Sequence, residues 1–236
     1  MNDRMKAAIW KEYRVFIKQS CVPAVFFFLA AVLTFILMIY KTDKLSPIGG
    51  SLIDQYCSNF VFINLLFCDY TILSFSMNVD IQEGTLNPVL VSVKKPSEIW
   101  IGQFIFANIV SFLESVVGVI SVLIAVKSML KHSININVLN MVMWILVSFF
   151  FGLIFSMLFH FLNWLIVSKY RIILAVSIFV FLFGGYKSLR LLSDNIKNDK
   201  SSLIIWTVLY AFLTGGILLF FKKVIDSIPK ERFAGK

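Results

Sequence analysis

Charge is scarce in this chain. Charged residues make up 15% of its 236 residues, where a water-soluble domain carries about a quarter. Hydrophobic residues make up 59%, and mean hydropathy is +0.86. A soluble fold of this size cannot bury that much apolar surface. A disordered chain needs the opposite composition. The remaining class is a protein whose solvent is lipid. Cysteine is scarce too: Cys21, Cys57 and Cys68 are an odd number, without CxxC spacing, in or beside apolar stretches. That excludes a disulfide framework and predicts buried free thiols. Two histidines and three scattered thiols make no metal site. There is no G-x-x-x-x-G-K-[ST] phosphate loop; Gly184-Gly185-Tyr186-Lys187-Ser188 lacks its spacing. No Ser/His/Asp or Cys/His pairing has catalytic logic, so the chain is not expected to be an enzyme and needs no cofactor of its own.

Acidic residues are the rarer sign, 13 against 22 Lys and Arg, for a net charge of +9. In a membrane protein this excess belongs to cytoplasmic connections, and it does not imply nucleic acid. The apolar runs predict an all-α polytopic membrane protein, one transmembrane domain over 1–236. Six spans are expected at about 21–40, 55–77, 99–126, 138–164, 170–187 and 203–221. They leave no room for a large soluble domain. The fifth run, Ile172–Tyr186, has 15 residues, which reach only about 22 Å, so it is flanked by snorkelling cations or partly re-entrant. Lys and Arg are more abundant at the side shared by both termini. That places the termini in the cytoplasm and the chain in the plasma membrane.

Two shorter helices complete the expected architecture. Over residues 1–20, Arg4, Lys11, Arg14 and Lys18 share one helical face, and Met5, Ile9, Tyr13 and Phe16 the opposite one. This is the pattern of an interfacial amphipathic helix. In the loop 79–97, Leu86, Val89, Leu90 and Val93 recur at i, i+3, i+4 and i+7. Thr85 is suited to cap this short helix, with Pro88 in its first turn, Asp80 and Glu83 at its positive end and Lys94 and Lys95 at its negative end. Pro96 stops it, and Ser97 is placed to cap the next one. An apolar face on a cytoplasmic helix lies either on lipid headgroups or in a groove of a partner protein.

Glu83-Gly84-Thr85-Leu86, then Leu90, Pro96 and Gly102, resembles the signature loop of ABC-2 type transporter permeases. Gln103 departs from the lysine usual after that glycine, and Asn87-Pro88 from a Glu-rich helix. The resemblance implies that Glu83, Gly84, Thr85, Leu86, Val89, Leu90 and Val93 form a coupling helix. It implies a cytoplasmic ATP-binding partner holding ATP and Mg, and a second permease, identical or homologous. It implies an exporter of a hydrophobic or amphipathic cargo. A membrane-active or antimicrobial peptide is expected first, a lipid or drug-like molecule second.

Asp69 and Glu114 fall near the middle of the second and third spans. An acid there costs about 2.5–3.5 kcal/mol, which makes it a functional candidate. A proton- or ion-coupled carrier, or an intramembrane enzyme, is therefore the alternative reading. Asn64 and Tyr70 near Asp69 suggest a structural network around it. His160 and Asn163, on the fourth span, are expected as hydrogen-bonded packing residues. Ser111, Ser115 and Gly118 put small residues on one face of the third span, for close helix approach.

Overall fold

The computed structural model describes residues 3–45, 49–82, 95–129, 137–165 and 200–228. All of the described secondary structure is helical. Helix α1 (Asp3–Val15) continues through a π turn (Phe16–Ser20) into α2 (Cys21–Leu45). Then come α3 (Gly50–Gln82), α4 (Ser97–Met129), α5 (Val138–Leu165) and α6 (Lys200–Ser227). Five helical stretches are long and apolar enough to cross a membrane. They are the first, second, third, fourth and last expected spans. The expected fifth span, 170–187, and the coupling helix, 85–93, lie outside the described residues.

Helices α2, α3, α4 and α6 outlast their apolar runs. Helix α3 extends the expected 55–77 to Gly50–Gln82, and α6 extends 203–221 to Lys200–Ser227. Extending a formed helix adds a hydrogen bond for every residue fixed, so polar flanks continue it. At 33 residues each, α3 and α4 are about 50 Å long, against a hydrocarbon core of about 30 Å. Their ends project beyond it.

The caps are local. The Asn137 side chain and carbonyl accept the backbone N–H groups of Asn140 and Met141 and start α5. The Pro96 carbonyl accepts from Ile99 and Trp100 at the start of α4. The expected Ser97 hydroxyl cap is not made. Its oxygen has no partner, and the Ser97 N–H donates instead to Asp226 Oδ1 of α6 at 3.2 Å. A carboxylate suits the positive end of a helix better than a hydroxyl does.

Ring contacts give the helix directions. Phe27 meets Phe67 and Phe35 meets Phe60, so α2 and α3 are antiparallel. Asp69 meets Ser111 and Asn64 meets Ser115, so α3 and α4 are antiparallel. Trp164 reaches Gln103 and Phe149 reaches Phe112, so α4 and α5 are antiparallel as well. Helix α6 then runs parallel to α5, with Tyr210 on Phe151 and Phe221 on Phe161. Leu165 and Lys200 therefore lie at opposite ends of the bundle. Helix α1, the end of α3 and the end of α6 share one end, called here the α1 end.

The core is centred on α3, which packs against α2, α4 and α5. Phe60, Phe62, Leu65, Ile53 and Ile72 are almost fully buried. Gly118 provides the expected close approach: a Cβ there would collide with the Phe60 ring and crowd Phe28. Several hydroxyls on the helices return to their own backbone. Thr34, Thr42, Ser121 and Thr207 donate to carbonyls one turn back. Cys57 and Cys68 are buried free thiols, and Cys21 is half-buried.

Helix α1 turns Met5, Ala8, Ile9 and Phe16 toward the bundle, as the amphipathic pattern predicts for three of them. Tyr13, expected on that face, is exposed instead. It stacks on Trp10 at 5.4 Å, and Arg14 lies 5.3 Å over the Trp10 ring. The place of Tyr13 is taken by the carboxylate of Glu12, which is only 1% exposed. Glu12 is drawn inward by a buried amide on α4.

Candidate functional site

The described polar side chains gather where α3, α4 and α5 meet. Asp69, 1% exposed, lies at the centre. Ser111 of α4 donates to its Oδ1, and Ser156 of α5 donates to its Oδ2. The two oxygens are thus held from two different helices. Ser111 Oγ also stands 2.9 Å from the Ala107 carbonyl. Glu114, partly buried, faces the same cluster, with the Cys68 thiol beside it. One Glu114 oxygen, Oε2, is buried without a partner.

The sequence reading placed Asp69 with Asn64 and Tyr70, and the structure corrects both. Asn64 donates to Ser115 at 3.2 Å, and Tyr70 packs its ring edge-on against Phe159. Residue 64 is five positions from 69, which is 500° around the helix and so a different face. Asp69 and Glu114 do come together. His160 and Asn163 join them indirectly, on the same stripe of α5 as Ser156.

That stripe, Ser148, Gly152, Ser156, His160 and Asn163, recurs every three or four residues and turns inward along α5. Toward the α1 end, His160 Nε2 meets the Trp100 carbonyl at 3.2 Å. A carbonyl can only accept, so Nε2 carries the hydrogen and Nδ1 is a bare acceptor. The His160 ring stacks on Trp100, with centroids 5.2 Å apart. His160 Nδ1, Asn163 Nδ2 and Trp100 Nε1 are buried with no hydrogen-bond partner. One nitrogen of His160 is thus hydrogen-bonded, and the Asn163 amide nitrogen is not. Farther along, Trp164 Nε1 donates to Gln103 Oε1 at 3.1 Å, and Gln103 Nε2 donates to Glu12 Oε1 at 3.0 Å. Gln103, where the resembling family has a lysine, is thus a buried amide joining α5 to α1. Lys11 reaches the same Glu12 oxygen at 3.9 Å, its side chain 37% exposed.

Toward the other end the polar stripe of α5 is interrupted, while Asn64 and Ser115 stay paired between α3 and α4. Phe62 and Leu65, both 0% exposed, close over Gly152, where a built Cβ would meet each at 3.4 Å. Beyond this plug Ser58 bonds to Ser148, and Asn140 donates to Asp54 Oδ2 at 3.4 Å. Sequence reading missed Glu12, Ser58, Ser148 and Ser156. The signal present was the four-residue spacing of Ser148, Gly152, Ser156 and His160. Among the described residues no group of three His, Cys, Asp or Glu side chains is placed to hold a metal.

The expected coupling residues Glu83, Gly84, Thr85, Leu86, Val89, Leu90 and Val93 lie outside the described residues. Of the rest of that motif, Pro96 opens α4, and Gly102 lies against Ala8 and the Met5 carbonyl of α1, where a Cβ would not fit. No protein-family model matches the chain, and no curated protein or solved structure matches it.

Proposed function

We propose that this chain is the membrane subunit of an ATP-driven exporter. It works with a separate cytoplasmic ATP-binding subunit and a second permease, and moves a hydrophobic or amphipathic cargo, a membrane-active peptide first among them. The observation that carries the reading is the Glu83-Gly84-Thr85-Leu86, Leu90, Pro96, Gly102 pattern between α3 and α4. Both flanking helices project past the hydrocarbon core, and a short helix rigidly joined to them transmits a push from outside the membrane into it. Gly102 locked against α1 supports the same reading, because it ties the start of α4 to the rest of that end.

Topology supports a sixth crossing. Helices α5 and α6 run parallel, and 34 residues connect their opposite ends. The expected span at 170–187 falls inside that connection. Charge supports cytoplasmic termini. Among the described residues, Arg4, Lys6, Lys11, Arg14, Lys18, Lys95, Lys222 and Lys223 belong to the α1 end, and Lys41, Lys44, Lys127 and Lys200 to the other.

Affinity purification of the chain from its own membrane in mild detergent tests the reading. A stoichiometric ATP-binding protein is expected to co-purify. Glu83→Arg and Leu86→Asp are expected to leave the chain folded and to reduce its nucleotide-dependent transport at least about ten-fold, the order of a lost charge-assisted contact with the partner. Recovery of the chain alone, or full transport in both variants, would refute the assignment.

A further inference from the structure

We propose that Asp69 is a reversible proton-binding site inside the membrane, and that its proton exchanges with the α1 end through water held by His160, Asn163 and Trp100. The proposal does not depend on the exporter reading.

The first support is a hydrogen count. Ser111 has one hydroxyl hydrogen and two acceptors, Asp69 Oδ1 and the Ala107 carbonyl. With Asp69 ionised, Ser111 and Ser156 both donate to it. With a proton on Oδ1, Asp69 donates to Ser111, whose own hydrogen turns to Ala107. With a proton on Oδ2, Asp69 donates to Ser156, whose hydrogen turns toward the His160 side. The ionised state and the state protonated on Oδ1 both keep their hydrogen bonds, and only hydroxyl hydrogens rotate. A buried acid held by backbone N–H groups or a cation lacks this freedom, because donors of fixed direction satisfy only the anion. The groups facing Asp69 are Ser111 and Glu114 from α4, Cys68 from its own helix, and Ser156 with His160 one turn beyond from α5.

The second support is independent. Three polar atoms between Asp69 and the α1 end are buried and unpartnered: the acceptor His160 Nδ1 and the donors Asn163 Nδ2 and Trp100 N–H. Their residues are at most 2% exposed. Buried groups of both signs left without partners are what internal water satisfies. The steps along α5 are short, about 6 Å of rise from Ser156 to His160 and about 4.5 Å to Asn163, each within reach of one or two waters. Trp164, Gln103 and Glu12 continue the polar line to the exposed part of Lys11. Protonation balances simply. Ser156 gives its hydrogen to Oδ2 and takes one from water on the His160 side, and that water is reprotonated along the line from solvent at the α1 end, so each O–H bond formed is matched by one broken and the net change is one proton moved inward. In the opposite direction Phe62 and Leu65 pack over Gly152 and interrupt the polar stripe of α5.

Infrared spectra of the purified full chain in liposomes, without nucleotide or partner, test this. A carboxylic-acid C=O band is expected that titrates away with rising pH and is absent in Asp69→Asn. On transfer to heavy water the band is expected to shift. That shift should slow about ten-fold or more in His160→Leu, where the water line is cut, and stay near wild type in His160→Gln. Asn163→Leu repeats the test if His160→Leu does not fold, as judged by exposure of Cys57 and Cys68. No Asp69-dependent acid band at any pH, or exchange in the leucine variant as fast as in wild type, would overturn the proposal. Failure to recover an ATP-binding partner would leave these spectra unchanged, so the two readings fail separately.

Discussion

Helices α3 and α6 have nearly the same length and opposite surroundings. Of the most apolar window of α3, 72% is buried inside the bundle, against 17% for α6. Helix α3 carries Asp54, Ser58, Asn64, Asp69 and Thr71 into the interior, whereas the exposed face of α6 is Ile204, Ile205, Val208, Phe212, Leu219 and Phe220. A soluble protein has the reverse arrangement. Lipid-facing positions must be apolar because nothing there satisfies a polar group, and the interior is where polar side chains find each other. The contrast teaches that the most polar of the candidate spans, α3, is also the most central.

The sharpest way to break that comparison is to truncate the same ring on both helices. Phe62, fully buried on α3, packs on Phe151 and Phe155, and Phe212 on α6 is 78% exposed. Phe62→Ala is expected to destabilise the chain by about 3–5 kcal/mol through the cavity it leaves, and Phe212→Ala by less than about 1 kcal/mol. Thermal unfolding in detergent, read by maleimide labelling of Cys57 and Cys68, checks both. Equal losses would mean that α6 is as enclosed as α3. Next in size is Gln103. Its leucine variant removes one acceptor and one donor from buried Trp164 and Glu12, at a cost of about 1–3 kcal/mol or somewhat more because one partner is a carboxylate. The double variant Gln103→Leu with Glu12→Leu is expected to recover part of that loss. A single variant as stable as wild type would remove the link between α1 and α5.

The legible part of this fold was what depends on one helix at a time. Apolar runs located α2 through α6 and the start of α5 at Val138, and the charge pattern located α1. Asp69 and Glu114 stood out because an acid is rare in such a run. What depends on two helices at once was not legible. Asp69 seemed to belong with Asn64 and Tyr70, its neighbours in sequence, because nothing in one helix says that Ser111 and Ser156 arrive from two others. Ser97 looked like its own cap because Asp226, 129 positions away, could not be seen to compete. Glu12 was not singled out because its partner, Gln103, was read only as a departure from a lysine.

Two glycines give the finest test of the comparison, because theory assigns them opposite signs. Gly118 lies in α4 against α2 and α3, and any Cβ there collides with the Phe60 ring. Phe60 is fully buried and packs edge-on against Phe35, so the ring has no free direction in which to yield. Gly118→Ala is therefore expected to cost about 1–3 kcal/mol by overpacking. Gly215 lies in the middle of α6, is exposed, and has no heavy atom within 4 Å of a built Cβ. There alanine only restricts the unfolded backbone and favours the helix, so Gly215→Ala is expected to stabilise by about 0.5–1 kcal/mol. The same labelling assay resolves both shifts. A destabilised Gly215→Ala would show that something in the folded protein packs closely on that face of α6, and that its burial has to be redrawn to resemble that of α3.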